Sequence, residues 1–208
     1  MTAKKISSNL AQDGKSGRGR PRAFDAEAAV DTAMALFHRR GYDAVGVAEL
    51  AEAIGVNPPS LYAAFGSKKG LFEQALDRYV HGEGNITART LAEEGSVAEV
   101  IERLFRRAAE TYSAADSLPG CLVLDSTRNC SDPEIRAVTS ALRAEGRELV
   151  RRRIAREFPR AAEVLTDYVM VTLSGLSAAA RDGMDPAALR RSAQIAADGF
   201  AAQLGGKG

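Results

Sequence analysis

Side chains able to do covalent or metal chemistry are sparse in this chain: two histidines, His38 and His81, and two cysteines, Cys121 and Cys130. Neither histidine stands in a metal-ligand spacing, and no glycine-rich phosphate or dinucleotide loop appears. Carboxylates are plentiful but spread over helix faces, so an enzyme would need a site assembled wholly from distant residues. The reading is therefore of a non-enzyme with no metal and no cofactor. What does cluster suits nucleic acid. Ala48-Glu-Leu-Ala-Glu-Ala-Ile-Gly-Val-Asn-Pro-Pro-Ser-Leu-Tyr-Ala-Ala-Phe65 has the form of two short helices joined at Gly55. In such a unit a small residue (Ala51) lets the helices touch, and Val56 and Leu61 lock the second onto the first. The second helix could then enter a DNA major groove with its N-terminal residues at base edges. An ordinary helical hairpin is the plain alternative.

The elements that must position this hairpin are helical. Asp25 is placed to cap a first helix, with Phe24 as a staple before it and Val30, Ala33, Met34 and Phe37 on one face. Gly41 stops it. A second helix carries Val47, Leu50, Ala51 and Ile54. A third is capped by Asn57, with Pro58 and Pro59 in its first turn, where amides lack intrahelical partners. Ser67 caps a fourth, striped by Leu71, Phe72, Ala75, Leu76 and Tyr79. Longer helices follow: Val97 to Ala114, a short apolar piece at Cys121–Leu124, then Asp132–Pro133 opening one to about Phe158. Two more span about Ala161–Arg181 and Pro186–Leu204. The expectation is an all-α protein of about nine helices.

Composition agrees with helix and excludes other classes. The 208 residues include 38 alanines, no tryptophan and 7 prolines, and alanine loses least on entering a helix. No apolar run reaches the ~18 residues of a bilayer span, and no secretory signal precedes the first helix, so no membrane partner is expected. Two cysteines make no disulfide scaffold, which points to the reducing cytoplasm. The net charge of +1 hides an asymmetry: residues 1–22 hold six Lys and Arg against Asp13, a local +5 that leaves −4 for the rest. Local positive charge attracts phosphate. The arm includes Arg18, Arg20 and Arg22, and Arg18-Gly-Arg-Pro21 resembles an AT-hook core that lies in a narrow minor groove. A nonspecific basic tail is the other reading.

The flanks of the hairpin extend the pattern. Gly19-Arg-Pro-Arg-Ala-Phe-Asp25, Ala35-Leu-Phe-His-Arg-Arg-Gly-Tyr42 and Ser60-Leu-Tyr-Ala-Ala-Phe-Gly-Ser-Lys-Lys-Gly-Leu-Phe72 occur in order. Over about residues 18–80 the sequence resembles the TetR family of bacterial transcriptional regulators. The resemblance implies a flexible basic arm (1–22), a helix-turn-helix DNA-binding domain (23–80) and a helical effector-binding and dimerisation domain (81–208). It implies a homodimeric repressor on a double-stranded, pseudo-palindromic operator, released by a small-molecule effector. A DNA-compacting protein without sequence preference is the remote alternative. Tyr62 matches the family's recognition-helix tyrosine, which donates to phosphate, and Lys68 and Lys69 would bring cations to the backbone. Val45, Gly46, Pro59 and Ala64 depart from the family's pattern, and two prolines remove two amide donors. Base readout then falls to Asn57 and Ser60, with apolar contact by Pro58, Pro59 or Ala63.

For the C-terminal part the resemblance implies a dimer built by the last two helices, here Leu173, Leu176, Ala193, Ala196 and Phe200. Phe105, Tyr112, Cys121, Leu122, Tyr168 and Met170 line an effector cavity or are plain core. Gly120-Cys121-Leu-Val-Leu resembles a segment of relatives that respond to electrophiles through cysteine. A cysteine at a helix N-terminus could have a lowered pKa, whereas a buried one is a small hydrophobe. The run Arg143, Arg147, Arg151, Arg152, Arg153 and Arg156 is interspersed with Glu145, Glu148 and Glu157 and reads as a salt-bridged face.

Overall fold

The computed structural model describes residues 25–82 and 85–205. The arm with Arg18, Arg20 and Arg22, and Phe24 with it, lie outside these residues. Among the described residues the chain forms ten α-helices and no strand: α1 (Ala26–Arg40), α2 (Val47–Ile54), α3 (Pro58–Phe65), α4 (Lys68–His81), α5 (Ile86–Leu91), α6 (Val97–Tyr112), α7 (Leu122–Asp125), α8 (Pro133–Ala155), α9 (Ala162–Arg181) and α10 (Pro186–Gly205). The all-helical reading holds. The additional element is α5, whose six residues carry too little periodicity to stand out; Asn85 caps it by accepting from the Ala88 amide at 3.0 Å.

Each helix of the N-terminal group starts and stops for local reasons. The Asp25 carboxylate accepts from the amides of Glu27 and Ala28, both at 3.1 Å, satisfying donors at the start of α1. Gly55 ends α2 at φ 81°, a left-handed conformation that glycine adopts without Cβ strain, and both its amide and that of Val56 return to Ala51 O. This turn aims α3 across α2. Phe37, Leu50, Leu61, Leu71 and Phe72 are fully buried between the four helices. Phe37 meets Phe72 edge to face at 5.0 Å and stacks on Tyr42 at 5.8 Å, so the first helix, the loop after it and the fourth helix share one aromatic centre.

The larger group is organised around α6. A capping box of Ser96 and Glu99 opens it, and Val97, Val100, Ile101, Leu104, Phe105, Ala108, Ala109 and Tyr112 form its buried stripe. Helix α10 packs along it most extensively, α9 packs on both, and α8 covers α9. Asp132 caps α8 just before Pro133. The arginine run of α8 is largely paired: Arg147 with Glu163 and Asp167, Arg151 and Arg152 with Glu148, Arg153 with Glu157.

Candidate nucleic-acid interface

Helix α3 begins Pro58-Pro59, at its first two positions. The next amide belongs to Ser60, and the Asn57 carboxamide oxygen accepts from it at 2.9 Å. An anion approaching this end of α3 therefore meets ring carbons and a capped amide rather than free donors. Behind the helix Leu61 and Phe65 are buried; in front Pro58, Pro59, Ser60, Ala63 and Ala64 are exposed, with Tyr62 at 47%. Alternation of these two faces is what an eight-residue amphipathic helix must produce when one side is packed.

The two lysines expected to serve the phosphates are differently committed. Lys68 Nζ lies 4.0 Å from the centroid of the Tyr42 ring, and partial burial there lowers its pKa. Lys69 Nζ instead bonds Glu134 at 2.8 Å, tying α4 to the start of α8, so a phosphate would have to exchange with that carboxylate. Ser67 caps α4 by accepting from the Gly70 amide. At α2 the cap is Gly46, and no side chain accepts from its first turn.

The reading helices are fixed to the rest of the molecule at the end of α1. The Tyr42 amide donates to Ser126 O at 2.8 Å, and a Cβ on Gly41, whose φ is 80°, would stand 3.2 Å from that oxygen. Asp43 accepts from the Ser131 amide at 2.9 Å and the Cys130 thiol at 3.0 Å, and these bonds hold its carboxyl below the usual range. His38 Nε2 donates to Gly120 O at 3.2 Å, in the tautomer that puts the proton there. The Arg181 guanidinium donates to the carbonyls of His38 and Arg39. Sequence reading found none of these ties, because the partners lie about 80 to 140 positions apart and none belongs to a short motif.

A cleft of about 600 Å³ lies between α4, α5 and α8, with α6, α7 and α9 behind it. Of the six residues expected around an effector cavity it is lined by Tyr112, Cys121 and Met170. Phe105 and Leu122 are fully buried core. Tyr168 stands on the far side of α9, its hydroxyl donating to Ala196 O at 2.9 Å. Phe105 and Tyr112 share one stripe of α6 while Tyr168 and Met170 lie on opposite faces of α9, and single-helix periodicity does not say which neighbour each part of a stripe meets. The cleft instead takes Tyr79 and Arg143, with Leu76, Val138 and Leu142. Of the two readings of Cys121, the small buried hydrophobe is the one favoured. Its thiol is buried, and that burial raises its pKa above the ordinary value despite amides of α7 directed at it. The thiolate that an electrophile would attack is therefore disfavoured.

The residues expected at a dimer interface sit mostly inside the single chain. Leu173, Leu176, Ala193 and Phe200 are buried within a single chain, and Ala196 is half-buried. The outer faces of α9 and α10 carry other side chains: Val164 is 74% exposed, Val171 73% and Ile195 72%. Along α9 these continue through Tyr168, Gly175 and Ala178, and along α10 through Ala188, Ser192, Gly199 and Ala202. The spacing alternates four and three, so each row stays along one face of its helix.

Likenesses to known proteins extend over most of the chain. The family model "Bacterial regulatory proteins, tetR family" matches residues 29–75, from α1 into α4. The HTH-type transcriptional repressor BdcR of Escherichia coli K12 is 41% identical over 165 residues, 79% of this chain and 83% of that protein. ComR, a repressor of the same organism, is 33% identical over 193 residues, 88% and 90% of the two chains. The regulator CifR, solved as cysteine mutants with 26-base-pair operator DNA, superposes with a TM-score of 0.79 at 34% identity, covering 86% of this chain and 98% of that one. Among the described residues no helix is long and apolar enough to cross a membrane. The chain belongs to the TetR family of bacterial transcriptional regulators.

Proposed function

We propose that this protein is a homodimeric repressor that binds a pseudo-palindromic operator and is released by a small molecule in the cleft beside α4. The observation that carries the reading is the exposed face of α3, held out by the Gly55 turn, in a chain similar to repressors and to a regulator solved on its operator DNA. Tyr62 and Lys68 flank that face and would contact phosphate; Pro58, Pro59 and Ala63 would meet the bases, with Asn57 and Ser60 at the groove end of the helix. Pairing of two copies through the α9 and α10 seams would set two recognition helices in successive major grooves, about 34–36 Å apart. The boundaries near residues 22 and 80 follow from this division of labour, with cytoplasmic location where the DNA is.

The cleft supports the effector half of the proposal. Its walls are mainly apolar, with the hydroxyls of Tyr79 and Tyr112 and the Arg143 guanidinium among its polar points and Glu73, Asp77, His81 and Glu145 also lining it, a mix that suits a small molecule. Tyr79 belongs to α4, which also starts with Lys68, so a ligand there presses on the helix that flanks the reading face. A ligand that favours one separation of the heads over another shifts the population off DNA. The test is footprinting on fragments of the source genome: one protected site with two half-sites supports the proposal, whereas equal binding to all fragments makes the protein a nonspecific DNA binder.

A further inference from the structure

The surface that α3 offers to a groove is unusual in what it lacks. From Asn57 to Phe65 there is no Arg, Lys, Glu, Asp or Gln. Guanine is most often read by Arg or Lys on O6 and N7, and cytosine by a carboxylate on its amino group. Adenine is read by Asn or Gln using the carboxamide oxygen and nitrogen together. Asn57 is the one such group; its oxygen is engaged in the Ser60 cap at 2.9 Å, which leaves its nitrogen as a lone donor that cannot by itself separate the N7, O6 and O4 acceptors of purines and thymine. Breaking that cap to read a base would strip α3 of the donor satisfaction that its two prolines leave to Ser60 alone. On α2, Glu49 is ion-paired to Arg40, and the helix-turn-helix places that helix across the backbone rather than in the groove.

Most of the remaining exposed surface is carbon. Pro58, Pro59, Ala63 and Ala64 present ring methylenes and methyls without a polar atom, beside Ser60 and the Tyr62 ring. One feature of the major groove is recognised without a hydrogen bond, the 5-methyl group of thymine.

We infer that α3 reads its operator chiefly through thymine methyl groups packed against Pro58, Pro59, Ala63 and Ala64. The inference rests on the operator reading above and names the base feature that reading leaves open. Each half-site carries two or more thymines whose methyls face α3, and polar contacts by Ser60 and Tyr62 set register rather than base identity.

The test alters the DNA and leaves the full-length protein untouched. Duplexes bound by the protein are selected from a random-sequence pool, and thymines of the enriched half-site are replaced singly by deoxyuridine. Uracil keeps every hydrogen-bonding atom and loses only the methyl. Removing one buried methyl should weaken binding about fourfold, at two or more positions per half-site. Where thymine is exchanged for a cytosine, 5-methylcytosine should bind better than cytosine. An enriched site that tolerates uracil throughout, or a half-site without thymine in the α3 groove, overturns this inference and leaves the operator reading standing. Failure to enrich any sequence overturns the operator reading and this inference with it.

Discussion

The Arg181 guanidinium donates to the carbonyl oxygen of His38 at 2.7 Å, joining the last turn of α9 to the last turn of α1 across 143 positions of sequence. A second nitrogen reaches Arg39 O at 3.2 Å. The final carbonyls of α1 have no intrahelical donors and carry the negative end of its dipole, so a forked cation is well suited to close them. Gly120 makes room for this: its φ is 83°, and a Cβ there would lie 2.6 Å from Arg181 Cγ and 2.7 Å from Asp125 Oδ2.

Arg181→Ala is expected to lower stability by about 1.5–3 kcal/mol, the range of a hydrogen bond to a charged group. Arg181→Lys should recover only part, since an ammonium cannot fork to two carbonyls. Urea denaturation of the three proteins measures this; a wild-type midpoint in the alanine variant would show that the tie contributes nothing. Gly120→Ala should be the more damaging change, because it adds the backbone strain to the clash.

His38 makes stability depend on pH in a defined window. Burial lowers its pKa from 6.5, outweighing the Gly120 hydrogen bond that raises it. The folded state therefore binds this proton less readily than the unfolded chain. The contribution is fully present above pH 6.5 and is lost as pH falls through the lower folded value. The carboxylates held low, among them Asp43 and Glu148 (to about 2), act only in more acid solution. His38→Gln retains a donor near Nε2 and cannot titrate. Its unfolding free energy should stay flat between pH 7.5 and 5.5 where the wild type declines; parallel curves would rule out His38 as the source.

The N-terminal half was legible because its information is local. Caps, αL glycines and a period of 3.6 fall within a few residues of each other, so α1 to α4, and the Asn57 and Ser67 caps, follow from short windows. The junction was not legible, because Arg181, Gly120 and Asp43 meet partners chosen by the packing of whole helices. The last two helices show the intermediate case. Their apolar content is plain in the sequence, but α9 is apolar on nearly all sides, and only its position on α6 and α10 separates Leu173 and Leu176 inside from Val171 outside.

That distinction gives a direct contrast between variants. Val171→Glu with Ile195→Glu puts carboxylates on the exposed seam and should yield a folded monomer, seen by sedimentation at unchanged helix content. Operator binding should then fall steeply, because half-sites are no longer held in one molecule. Phe200→Ala should instead cost about 3–5 kcal/mol of folding stability, since the side chain is 1% exposed and fills the α6–α9–α10 core. Should the double variant remain dimeric, the seam is not the interface.

In the described reading helices Arg40 is paired with Glu49, Arg78 with Asp31 and Lys69 with Glu134, and α2 adds the exposed carboxylate of Glu52. The start of α3, with two prolines and a capped amide, adds no donor for phosphate. Residues 1–22 hold six Lys and Arg against one Asp, the largest local excess of positive charge in the sequence. Each cation seated on a phosphate contributes about 0.9 to the slope of log affinity against log salt. Deleting residues 1–22 should weaken operator binding most at low salt and flatten that slope by one or more such steps, while thermal stability stays unchanged. An unaltered slope after deletion would place the phosphate contacts in the helices alone and leave the arm without a part in binding.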